Sequence, residues 1–358
     1  MIDYIVVGLG LAGITFCETL ARHGKSFVAV DDESQQATKV AGGLYNPVVL
    51  KRFNPVWMAE EQLAFAIPFY KALEEKLGEN LLYPSRIKRR FASIDEQNQW
   101  FEASDHPRLK NVLLQELQAN TNPNIAAPFG FGIVAHSGRL ATSLLVERYT
   151  ELLRKQDQLI GESFLFDELQ ILGEGVQYRH IMARQIVFAT GFGLVKNPYF
   201  NYLPMQGSKG EYIKIHCPDL RETEILKGAF FVLPEGNDEY LVGATYAWKD
   251  FENTPTAKAR QQLTEKLDRI LNCDYKLISQ QAGIRPTVTD RKPLLGRHPV
   301  HKDLYVLNGF GSRGVMIGPW AADLLYRNIE EGNSLPAEID LSRFKKKYFE
   351  AGQASRGS

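Results

Sequence analysis

Residues 2–31, IDYIVVGLGLAGITFCETLARHGKSFVAVD, decide the fold. Residues 2–7 are apolar and rich in β-branched side chains, which predicts a strand. Gly8, Gly10 and Gly13 then follow as GxGxxG. From Leu11 to His23 the pattern predicts a helix with Gly24 as its C-cap, and Ser26–Val30 predicts a second strand ending in an acid. In a chain with 29 glycines, chance alone supplies about 0.2 such glycine strings, so the context carries the argument. A strand–turn–helix–strand unit of this length is a mononucleotide-binding half. Gly8 permits the tight turn, Gly10 lets backbone approach a pyrophosphate, and Gly13 lets the helix pack on the strand. Leu11 and Ala12 open the helix, whose N-terminal amides and dipole face the diphosphate. Asp31 follows Gly13 by 18 residues and is placed to accept from ribose hydroxyls, with Asp32 as the neighbour able to do so instead. The expectation is a dinucleotide site.

Working outward, further elements follow the same rules. Residues 58–77 and 140–155 predict helices, and Ile186–Ala189 is a third apolar run that meets Thr190 and Gly191. The stretch 203–247 predicts strands at 212–215, 230–233 and 240–242. Residues 257–272 predict another helix. Strand 304–307 leads into GFGSRG (309–314) and a helix over about 319–330. This second GxGxxG string lacks a following strand that ends in an acid, so it is no second Rossmann half. A glycine loop before a helix stabilises negative charge. In a flavin protein the amides of 311–316 would meet the N1–C2=O2 edge, where reduction places charge. The alternative is a packing turn.

Composition bounds the rest. The 358 residues carry 42 Lys+Arg against 42 Asp+Glu, with 44% hydrophobic and 11% aromatic residues. That supports a large core and about two domains. It argues against binding nucleic acid through the overall field. Cys17, Cys217 and Cys273 lie far apart without CxxC, so neither a disulfide framework nor a zinc site is expected, and a reducing cytoplasm fits. The seven histidines show no ligand spacing, so no metal is expected. No apolar run approaches the length of a membrane span, and Gly8 comes too early for a signal peptide. The dense basic run is Arg86–Arg90. It reads as a solvated strand face or, if a nucleic acid is bound, as the place where phosphates would be held together with Lys51 and Arg52.

The acidic strand end suits NAD and FAD alike. The strings AGGLYNP (41–47), IVFATGFG (186–193), GAFFVLPEGNDEYLVGATY (228–246), AGIRPTVTDRKPLLG (282–296) and GFGSRGVMIGPWAADLL (309–325) resemble, in order, the D-amino-acid oxidase/glycine oxidase family of FAD enzymes. GGLY at 42–45 and GSRG with a later proline are most similar to the flavin domain of a bifunctional enzyme of tRNA wobble-uridine modification. The resemblance implies an α/β fold: a Rossmann-like FAD-binding domain from 1–80, 135–200 and 280–345, an interrupted β-rich (α+β) substrate domain from 81–134 and 201–279, and a tail at 346–358. It implies noncovalent FAD, since no cysteine stands in the C-terminal motif.

The same resemblance assigns residues. Thr38, Ala41, Gly42, Gly43 and Leu44 would follow the isoalloxazine and pyrophosphate, Leu169 the adenine by backbone contact, and Thr190 and Gly191 the adenosine. Gly311, Ser312, Arg313, Gly314, Val315 and Met316 would lie at the flavin O2 side. Arg285 in GIRP matches the clamp for a substrate carboxylate, a role that suits a guanidinium's paired donors; a structural ion pair is the alternative. Where some relatives place a tyrosine opposite the substrate, this chain has Phe231 or Phe230, with Tyr246 as a replacement. Arg313 points at substrate or at solvent. The implied reaction is oxidation of the C–N bond of a small amino acid or N-substituted glycine, with oxygen as acceptor. Two alternatives stand beside it: oxidative removal of a carboxymethyl group from a tRNA wobble uridine, and a flavin-binding protein without turnover.

Overall fold

The computed structural model describes residues 1–354. The Ile2–Val7 strand lies at the middle of an eight-stranded sheet. It pairs in parallel with Phe27–Val30 on one side and Ile181–Phe188 on the other. Leu159–Ile160 extends the sheet beyond Phe27–Val30, and Leu304–Asn308 adds in parallel to the C-terminal half of Ile181–Phe188. The antiparallel strands Val176–Tyr178 and Leu169–Ile171 occupy the N-terminal half of that same flank. Alternation along the strand decides its two faces. Tyr4 and Val6 are buried against helices Leu11–Arg22, Ala59–Leu77, Thr142–Lys155 and Gly314–Glu330. Ile5 and Val7 are buried on the opposite face with Phe188, Phe200 and Leu203.

A second, seven-stranded sheet runs Lys276–Val288, Met205–His216, Glu239–Gly243, Phe231–Gly236, Ile225–Lys227, Ile87–Arg90, Phe131–Val134. One face, with Ile213, Val232 and Val242, packs under helix Ala257–Leu267. The other, with Leu233 and Leu241, packs against Val48, Leu50 and Phe53. Its hairpin turns at Asn237 and Asp238, both at positive φ, as the run Glu235–Asp238 predicts.

Three boundaries differ from the sequence reading. The helix expected to run to 272 stops at Leu267, because the chain turns there so that Leu271 can bridge Ile125. The helix expected from 319 starts at Gly314 and contains Pro319 in its second turn. Proline has no amide to give the carbonyl four residues back; that carbonyl, Val315 O, instead accepts from the Tyr70 hydroxyl at 3.0 Å. Most of the tail expected at 346–358 is a helix, Lys345–Ala354; positions 355–358 lie outside the described residues.

Candidate functional site

The C-terminal ends of the parallel strands carry the first loop. Gly8 takes φ +99°, and its amide donates to Val30 O at 2.8 Å. A Cβ on Gly13 would stand 1.8 Å from the Gly8 carbonyl oxygen, so only glycine lets the helix start this close to the strand. Asp31 accepts from the Leu9 amide at 3.0 Å and from the Glu33 amide at 3.1 Å. Burial pushes its carboxyl above the usual range, against the pull of those two amides. Asp32 is exposed and accepts from Ser163 Oγ at 2.6 Å and from the Ser34 amide at 3.0 Å. Burial works against its charged form, but these hydrogen bonds win and hold the carboxyl below its ordinary value. Thr38 Oγ1 accepts from the Leu11 amide at 3.1 Å. Gly10 caps the helix without a side-chain acceptor, so amides of its first turn, Ala12 among them, face the gap.

Ala189, Thr190 and Gly191 stand directly behind this loop: the Ala189 amide donates to Val7 O, and a Cβ on Gly8 would fall 2.6 Å from Ala189 O. Thr190 Oγ1 is buried and lacks a partner among the described residues. An orphaned hydroxyl beside free helix amides is what a polar ligand would complete, so these residues fit a dinucleotide. From Thr38 the chain runs through Ala41, Gly42, Gly43 and Leu44 along the second sheet. Thr142 Oγ1 donates to Ala41 O at 3.1 Å, and the Leu140 amide to Gly43 O at 2.9 Å. A Cβ on Gly42 would meet Leu233 Cδ1 at 2.5 Å and the Tyr212 hydroxyl at 3.6 Å.

Leu169 does not join this group. It pairs with Tyr178, which pairs with Ile181 at the start of the parallel strands, the edge opposite Gly8 and Asp31. The first strand after the 142–155 helix is Leu159–Ile160, and it is Ile160 whose carbonyl receives the Asp31 amide. Residues 161–168 then cross the sheet, with Phe164 stacked on Tyr178. Ser163, at the start of that crossing, donates to Asp32, a contact that the sequence reading did not include.

In the second glycine loop, Gly311 takes φ +58° and its amide donates to Pro286 O at 2.9 Å. The Arg313 amide donates to Phe310 O, and that of Met316 to Arg313 O. The expectation of six amides at 311–316 aimed at one ligand edge therefore contracts to Ser312, Gly314 and Val315. Arg313 is the N-cap, with no side-chain cap bond. Its half-buried guanidinium is held below its ordinary pKa by burial and by Arg291.

One face of the second sheet meets these loops. Arg285 lies opposite Ser208, and Gly283 opposite Gly210. A Cβ on Gly210 would stand 2.0 Å from an Arg285 terminal nitrogen, so the guanidinium lies flat over that glycine. A Cβ on Gly283 would meet Val40 Cγ2 at 2.4 Å, which brings this face against the 37–44 segment. Phe231, Gly243 and Tyr212 form one row across three strands. The Tyr212 ring covers Gly243, whose Cβ would fall 2.3 Å from it. Tyr246, by contrast, is 63% exposed and sits under the Arg285 guanidinium at 4.4 Å. Arg285 also donates to Thr245 O at 3.4 Å and has no carboxylate partner among the described ion pairs. Tyr212, not Tyr246, brings a hydroxyl to Gly42. Its signal was the alternation GEYIKI (210–215), which puts Tyr212 on the face of Gly210.

The basic run Arg86–Arg90 is spoken for. Arg86 pairs with Glu224, Lys88 with Glu222 and Glu224, Arg89 with Glu96, and Arg90 donates to Ala126 O. Glu222 and Glu224, far off in sequence, and the nearby Glu96 pair with Arg86, Lys88 and Arg89, while a backbone carbonyl engages Arg90. Among the described residues no helix is long and apolar enough to cross a membrane.

The sequence profile of the DAO family, described as FAD dependent oxidoreductase, matches residues 3–327. The chain belongs to this family. It is an FAD-dependent oxidoreductase. It is 25% identical to glycine oxidase of Pseudomonas aeruginosa, over 90% of this chain and 93% of that protein. It is 21% identical to the tRNA 5-methylaminomethyl-2-thiouridine biosynthesis bifunctional protein MnmC of Burkholderia mallei, over 95% of this chain but 58% of that protein. Among solved structures, glycine oxidase from Geobacillus kaustophilus superposes with a TM-score of 0.80 at 18% identity, covering 96% of this chain and 97% of that one. Iminodiacetate oxidase from Chelativorans sp. BNC1 gives 0.75 at 21% identity, over 96% and 98%. These likenesses establish the fold with its FAD-binding Rossmann-like sheet and interrupted second sheet.

Proposed function

We propose that this oxidoreductase oxidises the C–N bond of a small amino acid or N-substituted glycine. Bound FAD supplies the acceptor for hydride at its N5 atom, and oxygen is the proposed final acceptor. The carrying observation is Arg285: a guanidinium without a carboxylate partner among the described residues, laid over Gly210 on the sheet face that carries Tyr212 and meets the 37–44 segment. A carboxylate in that space takes two parallel donors from Arg285. Tyr212 is placed to add a third donor, and Phe231 closes the row as an apolar wall. The amine's carbon is then fixed against the Gly42–Leu44 side, and the protein needs no acid or base if the amine enters unprotonated. In this reading the Gly8–Gly13 loop and Asp31 hold the adenosine diphosphate half, and Ser312, Gly314 and Val315 the flavin O2 edge. Residues 1–80, 135–200 and 280–345 form the flavin domain and 81–134 with 201–279 the substrate domain; the strand Lys276–Val288 spans their junction. A cytoplasmic location goes with this reading.

A second reading rests on the similarity to MnmC: removal of the carboxymethyl group from 5-carboxymethylaminomethyluridine in tRNA, the same bond on a macromolecule. With Arg86, Lys88 and Arg89 paired, Lys51 and Arg52, both exposed, are the part of the two basic clusters left for its phosphates.

Anaerobic mixing with sarcosine, glycine or undermodified tRNA, followed at the flavin band, tests both. Bleaching by the small amines alone supports the first reading, and bleaching by tRNA alone supports the second. Arg285→Met is expected to raise KM for a carboxylate amine by 30-fold or more, from about 2–5 kcal/mol of lost charge pairing. An unchanged KM removes Arg285 from the site.

A further inference from the structure

Cys217 and Cys273 are 56 residues apart in the chain, yet their Sγ atoms lie 3.5 Å from each other. Cys217 follows the strand Met205–His216 and Cys273 precedes Lys276–Val288. These strands are antiparallel neighbours with His216 opposite Lys276, so the pairing brings the thiols together. The two differ in setting. Cys217 is buried, its amide held by Asp238 O at 2.8 Å and its thiol donating to Asp274 O at 3.3 Å. Cys273 is half-buried and lines an open cavity of about 550 Å³ with Asp268, Asn272, Asp274 and Tyr275.

We propose that Cys217 and Cys273 are a reversible dithiol–disulfide pair that hydrogen peroxide oxidises. Cys273, reached through the cavity, is attacked first. Its thiolate sulfur takes one peroxide oxygen, the O–O bond breaks, and the other oxygen leaves as hydroxide and becomes water. The sulfur of Cys217 then bonds to the Cys273 sulfur and displaces that first oxygen, which departs as a second water with the Cys217 proton. Two thiols and one peroxide give one disulfide and two waters; the sulfurs are oxidised and both oxygens reduced. The order follows from the environment, since burial and the neighbouring thiol push Cys217 up to about 12. A disulfide requires the sulfurs to close to about 2.05 Å. Cys273 lies in a bend outside the ladder and supplies that movement, while Cys217 stays anchored. Cys17 is buried in the helix core, where burial pushes its thiol up, and serves as an internal control. The cross-link would tie together the ends of the two strands that carry Tyr212 and Arg285.

The test uses the reduced, flavin-loaded protein treated with hydrogen peroxide, denatured, and tagged with a maleimide. The expected result is a fall from three tags to one, a disulfide-linked peptide pair holding Cys217 and Cys273, and recovery of all three tags after dithiothreitol. In Cys217→Ser, peroxide should leave an oxygen adduct of about 16 Da on Cys273 and no linked peptide. Oxidation should raise the Tm of the wild type, but not of Cys217→Ser, by several degrees, because the bond closes a long loop. Three tags after peroxide, or oxygen adducts on Cys273 with Cys217 still free in the wild type, would overturn the pairing.

Discussion

The loops Gly8–Gly13 and Gly309–Gly314 share one glycine pattern and do different work. In the first, the helix begins so close to the strand that a Cβ on Gly13 would enter the Gly8 carbonyl. Its amides are arranged from outside, Leu9 by Asp31 and Leu11 by Thr38. In the second, the nearest atom to a Cβ on the corresponding Gly314 is Leu11 Cδ1 at 3.0 Å, the end of a flexible side chain. Its amides at 311, 313 and 316 are consumed by nearby carbonyls. A glycine string therefore specifies a turn; the partners of its amides specify whether that turn is a cradle.

The largest contrast should come from Gly13→Ala. A contact of 1.8 Å with backbone cannot relax without moving the helix, so a loss above about 4 kcal/mol is expected, with flavin absent from whatever folds. The ratio of flavin to protein absorbance measures it. A flavin-loaded Gly13→Ala would break the distinction between the loops.

Next in size is a pH effect from the hairpin that leads into the second loop. His298 turns the hairpin that feeds Leu304–Asn308, and its Nδ1 accepts from the amides of Val300 and His301. Burial, with His301 beside it, depresses its pKa to about 4. The unfolded imidazole titrates near 6.5, so this group leaves stability whole above that value. Stability is lost as pH falls from about 6.5 toward 4, by up to about 3 kcal/mol. Thermal melts across that range should show the loss, and His298→Gln should flatten it.

How much of this could be read in advance divides along the same line. The first loop was legible because the side chains that arrange its amides, Asp31 and Thr38, lie within residues 2–38 and follow local rules, while Ala189 and Thr190 arrive behind it from far along the chain. Arg285 was legible by resemblance, and its face by alternation. Leu169 was misplaced because a strand's position in a sheet depends on a crossover, here residues 161–168, that periodicity does not encode. The neutralisation of Arg86–Arg90 was hidden for a similar reason: Glu222 and Glu224 arrive through a parallel pairing of strands about 135 residues apart. Tyr212 was overlooked because its importance comes from the glycines opposite it.

Smaller effects refine the comparison. Gly311→Ala meets nothing nearer than Thr287 Oγ1 at 3.7 Å, so its cost is the positive φ alone, about 1–2 kcal/mol by urea melting, with flavin retained. Tyr212→Phe removes one hydroxyl from the Gly42 side and should raise KM for a carboxylate amine about tenfold with little change in flavin content. Gly314→Ala should cost least, below about 1 kcal/mol, because the Leu11 methyl can turn aside.

The bond from Tyr70 to Val315 has a consequence for how this sequence can change. A proline six residues into a helix normally leaves an orphaned carbonyl, yet here a phenol on a different helix completes the ladder. Positions 70 and 319 are therefore spliced into one unit of heredity. Pro319→Ala alone supplies an amide that can share Val315 O with the buried Tyr70 hydroxyl, since a carbonyl oxygen accepts two hydrogen bonds. Tyr70→Phe alone strands the carbonyl. The order of change is therefore constrained: a drifting lineage should lose the proline before the phenol, because the reverse order passes through a chain whose buried carbonyl has no donor.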